Sequence, residues 1–132
     1  MLKLEIVTPE KKVFDESVDS VTVPTASGEA GILPNHAPLI SALKPGILSF
    51  SLKGTTERLA VSGGFVEVSS NKVSVLTDTA ESPSEVDADA ARADREAAER
   101  SLATHAMSSL EVTEADRERL DVANARLQLL GK

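Results

Sequence analysis

The stretch Gly63-Gly64-Phe65-Val66-Glu67-Val68-Ser69-Ser70-Asn71-Lys72-Val73-Ser74-Val75-Leu76 decides the fold. Two runs rich in valine, Phe65 to Val68 and Val73 to Leu76, flank Ser69-Ser70-Asn71-Lys72, small polar residues of the kind that close a β-hairpin. Val66 and Val68 alternate with Phe65, Glu67 and Ser69, the period of two that a half-buried strand imposes. The same signature recurs upstream. Leu2, Leu4 and Ile6 alternate with Lys3 and Glu5; Val18, Val21 and Val23 lie in a run that ends at Pro24; Ile47 to Leu52 is closed by Lys53-Gly54, and Arg58 to Val61 follows. Turn signals return about every 8 to 12 residues, the spacing of an antiparallel sandwich or barrel. No helix-period stretch separates the strands, which argues against a parallel sheet.

Downstream of this hairpin the composition changes. The six prolines, the three phenylalanines and all but one of the seven glycines lie in residues 1–85. Residues 86–132 are rich in Ala, Asp, Glu and Arg and read as two helices, so the chain divides into residues 1–84 and 85–132. The linker is Thr79-Ala80-Glu81-Ser82-Pro83-Ser84. Ser84, with Asp87 three residues on, is the expected N-cap of the first helix, whose stripe is Val86, Ala90, Ala93 and Ala97. Thr113, with Asp116 three residues on, is the expected cap of the second, whose stripe is Leu120, Ala123, Leu127 and Leu130. Leu102 to Val112 breaks the pattern. A stripe of alanines lets two helices approach closely as an antiparallel hairpin, but buries little area. Such a hairpin is either a solvated helical cap or a weakly held element suited to a conformational switch.

The composition excludes several classes of function. The 132 residues carry 14 basic and 21 acidic side chains, net −7, so the basic footprint that nucleic acid requires is missing. Absence of cysteine removes disulfides and thiolate chemistry; two histidines, His36 and His105, are too few for a multi-histidine metal site. With no Tyr or Trp there is no base-stacking platform. No apolar run reaches the roughly 20 residues of a membrane helix, and MLKLEIVTPEKKVF does not read as a signal peptide. A cytosolic protein is the expectation.

Candidate chemistry is sparse. His36 sits in Gly31-Ile32-Leu33-Pro34-Asn35-His36-Ala37-Pro38-Leu39, where two prolines and an Asn mark a rigid turn; His105 falls between the helices and is expected to be exposed. A general base at His36 needs a nucleophile and an orienting acid, and no spacing singles out Ser27, Ser41, Asp19 or Glu29 for those roles. Gly28-Glu29-Ala30-Gly31 and Ser62-Gly63-Gly64-Phe65 lack the Lys and Ser/Thr of a phosphate loop and read as turns or bulges. Asp89 and Arg92 are neighbours on one helical face. If the hairpin turns near Ser108 or Ser109, residues whose numbers sum to about 217 face each other. Arg126 then lies near Arg92, and two guanidinium groups converge on an anion such as a nucleotide phosphate.

The chain resembles the epsilon subunit of the F-type ATP synthase, of bacterial type, over essentially its whole length. The opening Ile6-Val7-Thr8-Pro9-Glu10-Lys11 is similar to that family's first strand and turn. Gly28-Glu29-Ala30-Gly31, then Pro34-Asn35-His36-Ala37-Pro38-Leu39, then Lys44-Pro45-Gly46, match the family pattern, with Asn35 where the family has glycine. Val61-Ser62-Gly63-Gly64-Phe65-Val66-Glu67-Val68 and Val73-Ser74-Val75-Leu76 match its last strands.

The resemblance implies a β-sandwich of about ten strands followed by a helical hairpin, in a non-catalytic central-stalk subunit of a proton-translocating rotary motor. It implies a gamma subunit and a ring of c subunits as partners of the sandwich, met through loops at Glu29, Asn35 and His36. It implies that the hairpin reaches the alpha/beta catalytic head and inhibits ATP hydrolysis, with Arg92, Arg95, Arg100, Arg117 and Arg119 as candidate contacts to the beta subunit. Location would be peripheral, on the cytoplasmic face of the bacterial inner membrane, held only through the complex. No cofactor is implied as required. Some bacterial members bind ATP on the folded hairpin through Asp-x-x-Arg-Ala and further arginines. This chain keeps Asp89, Arg92, Ala93 and Arg126, but has Ala88 and Val122 where an apolar residue and a second arginine are expected. ATP is thus expected to be at most a weak regulatory ligand. Two alternatives stand beside this reading: a free-standing ATP-sensing hairpin protein, and a small hydrolase using His36.

Overall fold

The computed structural model describes residues 1–105 and 110–131. The strands are β1 (Leu2–Val7), β2 (Lys12–Val18), β3 (Ser20–Thr25), β4 (Gly28–Ile32), β5 (Leu39–Leu43), β6 (Gly46–Leu52), β7 (Thr55–Val61), β8 (Gly64–Ser69), β9 (Lys72–Thr77) and β10 (Ala80–Glu81). A 3₁₀ turn at Pro83–Glu85 leads to α1 (Ala88–Thr104), and α2 (Leu110–Leu129) follows.

The strands form one curled sheet in the order β10-β7-β6-β3-β5-β8-β9-β1-β2, with β4 attached to β3. The sheet folds over because β3 changes partner: Ser20–Thr22 pair with β6, while Thr25 meets Leu43 of β5. The terminal strand β2 approaches β6 of the other layer through side chains, the ring centroids of Phe14 and Phe50 standing 4.4 Å apart. Among the described residues every pairing is antiparallel except β1 with β9. That one parallel pair departs from the sequence expectation. It needs no crossover helix, because most of the curled sheet serves as the connection.

The alternating runs bury as their period requires. Leu2, Leu4, Ile6, Val66, Val68, Val73 and Val75 are buried, and Val21, Val23, Leu48 and Phe50 close the core from the other layer. Ser70 and Asn71 have φ of 50° and 61°, the positive pair that a two-residue hairpin turn demands. Lys53 and Gly54 do the same between β6 and β7, at φ 51° and 80°. β2, β4 and β5 were not legible as strands. Gly28 to Gly31, expected as a turn, is the body of β4 paired with β3. Gly64 is fixed by a close approach: a Cβ there would lie 1.9 Å from the Leu76 carbonyl oxygen.

The helices correct three expectations. The capping residue of α1 is Asp87, whose carboxylate accepts from the Ala90 N–H at 3.1 Å, and not Ser84. Upstream, Glu85 accepts from the backbone N–H and hydroxyl of Ser82, both at 2.9 Å. These bonds hold the Glu85 carboxyl below its usual range. The face α1 buries carries Ala91 and Ala98, with Ala90 and Ala93 exposed, so the stripe is rotated from the one expected. Alanine occurs on both sides of this helix, which leaves the sequence no preference. α2 is already helical at Leu110, so Thr113 is not its first cap. The expected turn at Ser108 or Ser109 lies outside the described residues. The facing register is as expected nonetheless: Ser101 donates to Asp116 at 2.5 Å, and their numbers sum to 217.

α2 lies against β6 and β7 as well as α1. Leu59 and Val61 of β7 point into the core, so Ala60 points outward, yet it is only 3% exposed because α2 covers it. Serving two faces, α2 buries Ala125 and Leu129 in addition to the expected Ala123 and Leu127.

Candidate functional site

The loop that carries His36 is a built turn. Pro34 occupies its second position and Asn35, at φ 67°, its third, while the His36 N–H donates to the Leu33 carbonyl at 3.1 Å. Asn35 thus takes the left-handed conformation expected of the residue that replaces glycine. Its N–H donates to Asn71 Oδ1 at 2.6 Å, tying the loop to the β8–β9 turn. The His36 ring spends Nδ1 on the adjacent Ala37 carbonyl at 2.7 Å, and no hydrogen bond joins the ring to a serine or carboxylate among the described residues. The arrangement is a rigid surface knuckle with Leu33, 63% exposed, at its tip. Glu29 is exposed near the other end of β4, about 10 Å of extended strand from Ile32. Sequence reasoning grouped Glu29 with Asn35 and His36; the structure puts Glu29 at the start of that strand and Asn35 and His36 beyond its other end.

The arginines of the hairpin do not converge. Arg92 Nη1 pairs with Asp89 on its own helix at 2.9 Å. Arg126 turns to the sandwich, where its Nε lies 2.9 Å from Glu81 Oε1. The angle is too poor for a hydrogen bond at Nε, so the pair is held by charge proximity, with Nη2 donating to the same carboxylate at 3.4 Å. Its partner on α1 is Asp94, at 3.7 Å, rather than Arg92. Arg95 leans on Glu99 at 3.8 Å; Arg100, Arg117 and Arg119 are exposed. Val122 is half-buried beside Arg126. His105 is half-buried as the residue ending α1, its Nδ1 3.0 Å from the Ser101 carbonyl and 3.9 Å from Asp116.

One feature escaped sequence reasoning. On the outer face of β5, β8, β9 and β1, Ala42, Phe65, Leu76 and Val7 stand in register. Phe65 is 60% exposed, Leu76 55%, and Ile40, on the adjacent row, 74%. A groove of about 710 Å³ runs from this row to Glu118 of α2. The signal was present: Val75-Leu76 and Phe65-Val66 place apolar residues at both parities of a strand, which a one-sided strand does not need.

The family description "ATP synthase, Delta/Epsilon chain, beta-sandwich domain" matches residues 1–83. This chain belongs to that family. An ATP synthase epsilon chain of Desulfitobacterium hafniense is 45% identical over 127 residues, covering 96% of this chain and 87% of the relative. One of Gloeobacter violaceus is 45% identical over 130 residues, covering 98% and 97%. Among solved structures, a chain of the Euglena gracilis mitochondrial ATP synthase OSCP/F1/c-ring assembly superposes with a TM-score of 0.83 at 22% identity, over 99% of this chain and 81% of that one. A chain of the Tetrahymena thermophila central stalk and c-ring gives 0.70 at 17% identity, over 98% and 96%. Both structural likenesses are of fold. As an epsilon-family chain, the protein is a subunit of ATP synthase, built as a β-sandwich followed by two helices. Among the described residues no helix is long and apolar enough to cross a membrane.

Proposed function

We propose that this chain is the non-catalytic epsilon subunit of a bacterial, proton-translocating ATP synthase, seated in the central stalk. The observation that carries the reading is the apolar row of exposed Phe65 and Leu76 with half-buried Val7, and Ile40 beside it, on the sheet layer away from β6 and β7, where the hairpin lies. An apolar stripe left in water on a sheet face is a docking surface, and the gamma subunit is its partner. The Asn35-His36 knuckle and Glu29 meet the c-ring and the gamma subunit, so that ring rotation reaches the alpha/beta head. The sandwich, residues 1–84, is the anchor; the hairpin, residues 85–132, detaches and inhibits ATP hydrolysis, with Arg92, Arg95, Arg100, Arg117 and Arg119 as contacts to the beta subunit. The complex holds the chain peripherally on the cytoplasmic face of the inner membrane.

ATP is a weak regulatory ligand at most, and no cofactor is required. The two arginines that would hold its phosphates are each answered by a carboxylate, Arg92 by Asp89 and Arg126 by Glu81. Calorimetry is expected to give an affinity weaker than micromolar. The free-standing sensor reading predicts the opposite, together with no affinity for gamma.

The deciding experiment adds the full chain, or a truncation ending at Ser84, to an epsilon-depleted catalytic head of the same organism. Both are expected to bind, and only the full chain to inhibit hydrolysis. Phe65→Glu is expected to abolish binding of either. Failure of the full chain to bind overturns the subunit reading; binding without inhibition removes the brake and leaves the anchor.

A further inference from the structure

The curled sheet is not closed. β2 pairs with β1 alone: among the described residues no strand is hydrogen-bonded in a ladder to its other edge, Lys12–Val18, although β6 packs close to it at Phe14 and Phe50. β7 meets β10 at Ala60 and Val61, and among the described residues no strand pairs with that edge from Thr55 to Leu59. Between these two edges lies a cleft of about 430 Å³, within the range of pockets that hold specific ligands. Phe14, Phe50 and Leu59 are among its apolar lining. Around it stand Glu16, Glu57 and Glu85 against one cation, Arg58, all four exposed. Glu16, Glu57 and Arg58 make no ion pair among the described residues.

We propose that this cleft is a strand-addition site. Its occupant is an extended segment of a partner protein, alternating apolar and basic side chains, which pairs with the free edge of β2. The backbone supplies the pairing: an edge strand presents a row of unmet N–H and C=O groups to an incoming chain. Alternate apolar side chains settle on Phe14 and Phe50, and the basic ones answer the surplus of carboxylate. A second copy of this chain is not the occupant the cleft selects, because it brings the same surplus of carboxylate and a net charge of −7. The site is separate from the face of Phe65 and Leu76, so it stands or falls independently of the subunit reading.

The test uses the full chain and three labelled heptapeptides: acetyl-KVKVKVK-amide, its acidic counterpart acetyl-EVEVEVE-amide, and acetyl-KVPVKVK-amide, whose proline removes a ladder donor. The basic peptide is expected to bind and to slow hydrogen exchange at residues 13–17 by about tenfold or more, with the proline and acidic peptides each at least about tenfold weaker. Glu16→Lys/Glu57→Lys, two exposed positions, is expected to reverse the preference toward the acidic peptide without altering the thermal midpoint. Equal binding of the basic and proline peptides means surface adhesion and overturns the proposal. So does protection confined to Phe65 and Leu76, or binding without slowed exchange in β2. Self-association that protects β2 without peptide assigns the edge to a second copy and overturns it too.

Discussion

The sandwich and the hairpin bury themselves with different materials. In the sandwich Leu2, Leu4, Ile6, Ile32, Leu48 and the valines of β8 and β9 are withdrawn from water almost completely. In the hairpin the buried residues described are Ala91, Ala98, Ala123, Ala125, Leu127, Leu129 and the carboxylate of Asp116. A buried leucine or isoleucine contributes about 1.5 to 3 kcal/mol and a single methyl(ene) group about 0.8. Each alanine contact in the hairpin is thus worth a fraction of its counterpart in the core, and only Leu127 and Leu129 among the buried hairpin residues described match it. Polar links make up part of the difference: Ser101 to Asp116 between the helices, and Arg126 to Glu81 between hairpin and sandwich. Polar links are specific in geometry and modest in energy, a combination that lets an element dock in one place and leave without unfolding its support.

This contrast is open to direct attack. The largest effect is expected in the sandwich. Leu4→Ala removes side-chain volume at a position fully withdrawn from water and should cost about 2 to 5 kcal/mol in denaturant titration. If hydrogen exchange in the helices slowed or stayed constant while the strands lost protection, the idea that the hairpin depends on the sandwich would fail. Next comes Ser101→Ala. It deprives the buried Asp116 of its hydroxyl donor and should cost about 1 to 3 kcal/mol, seen as faster exchange in α1 and α2 with β-strand protection intact. Arg126→Gln should be milder, about 1 kcal/mol, since the pair lies at the interface with each side chain still partly wetted. Its signature is release of α2 from β6 and β7, read as increased exposure of Ala60. An effect of equal size on the strands would mean that the two regions form one cooperative unit.

The smallest effect concerns pH. Hydrogen bonds from Lys3 and Lys12 hold the Asp15 carboxyl below its ordinary value. Those same contacts with Asp15 and Glu5 raise Lys12. A depressed carboxyl stabilises the fold above its unfolded pKa and ceases to do so as pH falls through the folded one. The raised lysine stabilises below its unfolded pKa, and the contribution fades as pH climbs through the folded one. Both are therefore fully present near neutrality. Asp15 and Glu85 should titrate below ordinary carboxylates by NMR, and Lys12→Gln should move the Asp15 midpoint upward. An unmoved midpoint would show the lysine contact to be transient in water.

What the residues announced and what they concealed follows the same division. Strands with one apolar parity, such as Leu2-Lys3-Leu4-Glu5-Ile6, were legible because a period of two has one folded meaning. β2 was not, since Lys12, Asp15 and Glu16 break the apolar alternation; β4 was not, since its glycines read as turns. The Asn35-His36 loop was legible because Pro34 fixes φ and Asn tolerates the left-handed region. The exposed apolar row was not, because it needs the register of four strands.

By itself, the sequence determined the sandwich with its two-residue turns and the two-helix appendage. Each of those follows from backbone geometry acting on neighbours a few residues apart. Only the tertiary structure decided which alanine stripe α1 buries, that Arg126 answers Glu81 instead of joining Arg92, and that Phe65 and Leu76 share an exposed face. Those are relations between segments distant in the chain, and local periodicity carries no information about which of two equivalent faces meets a partner.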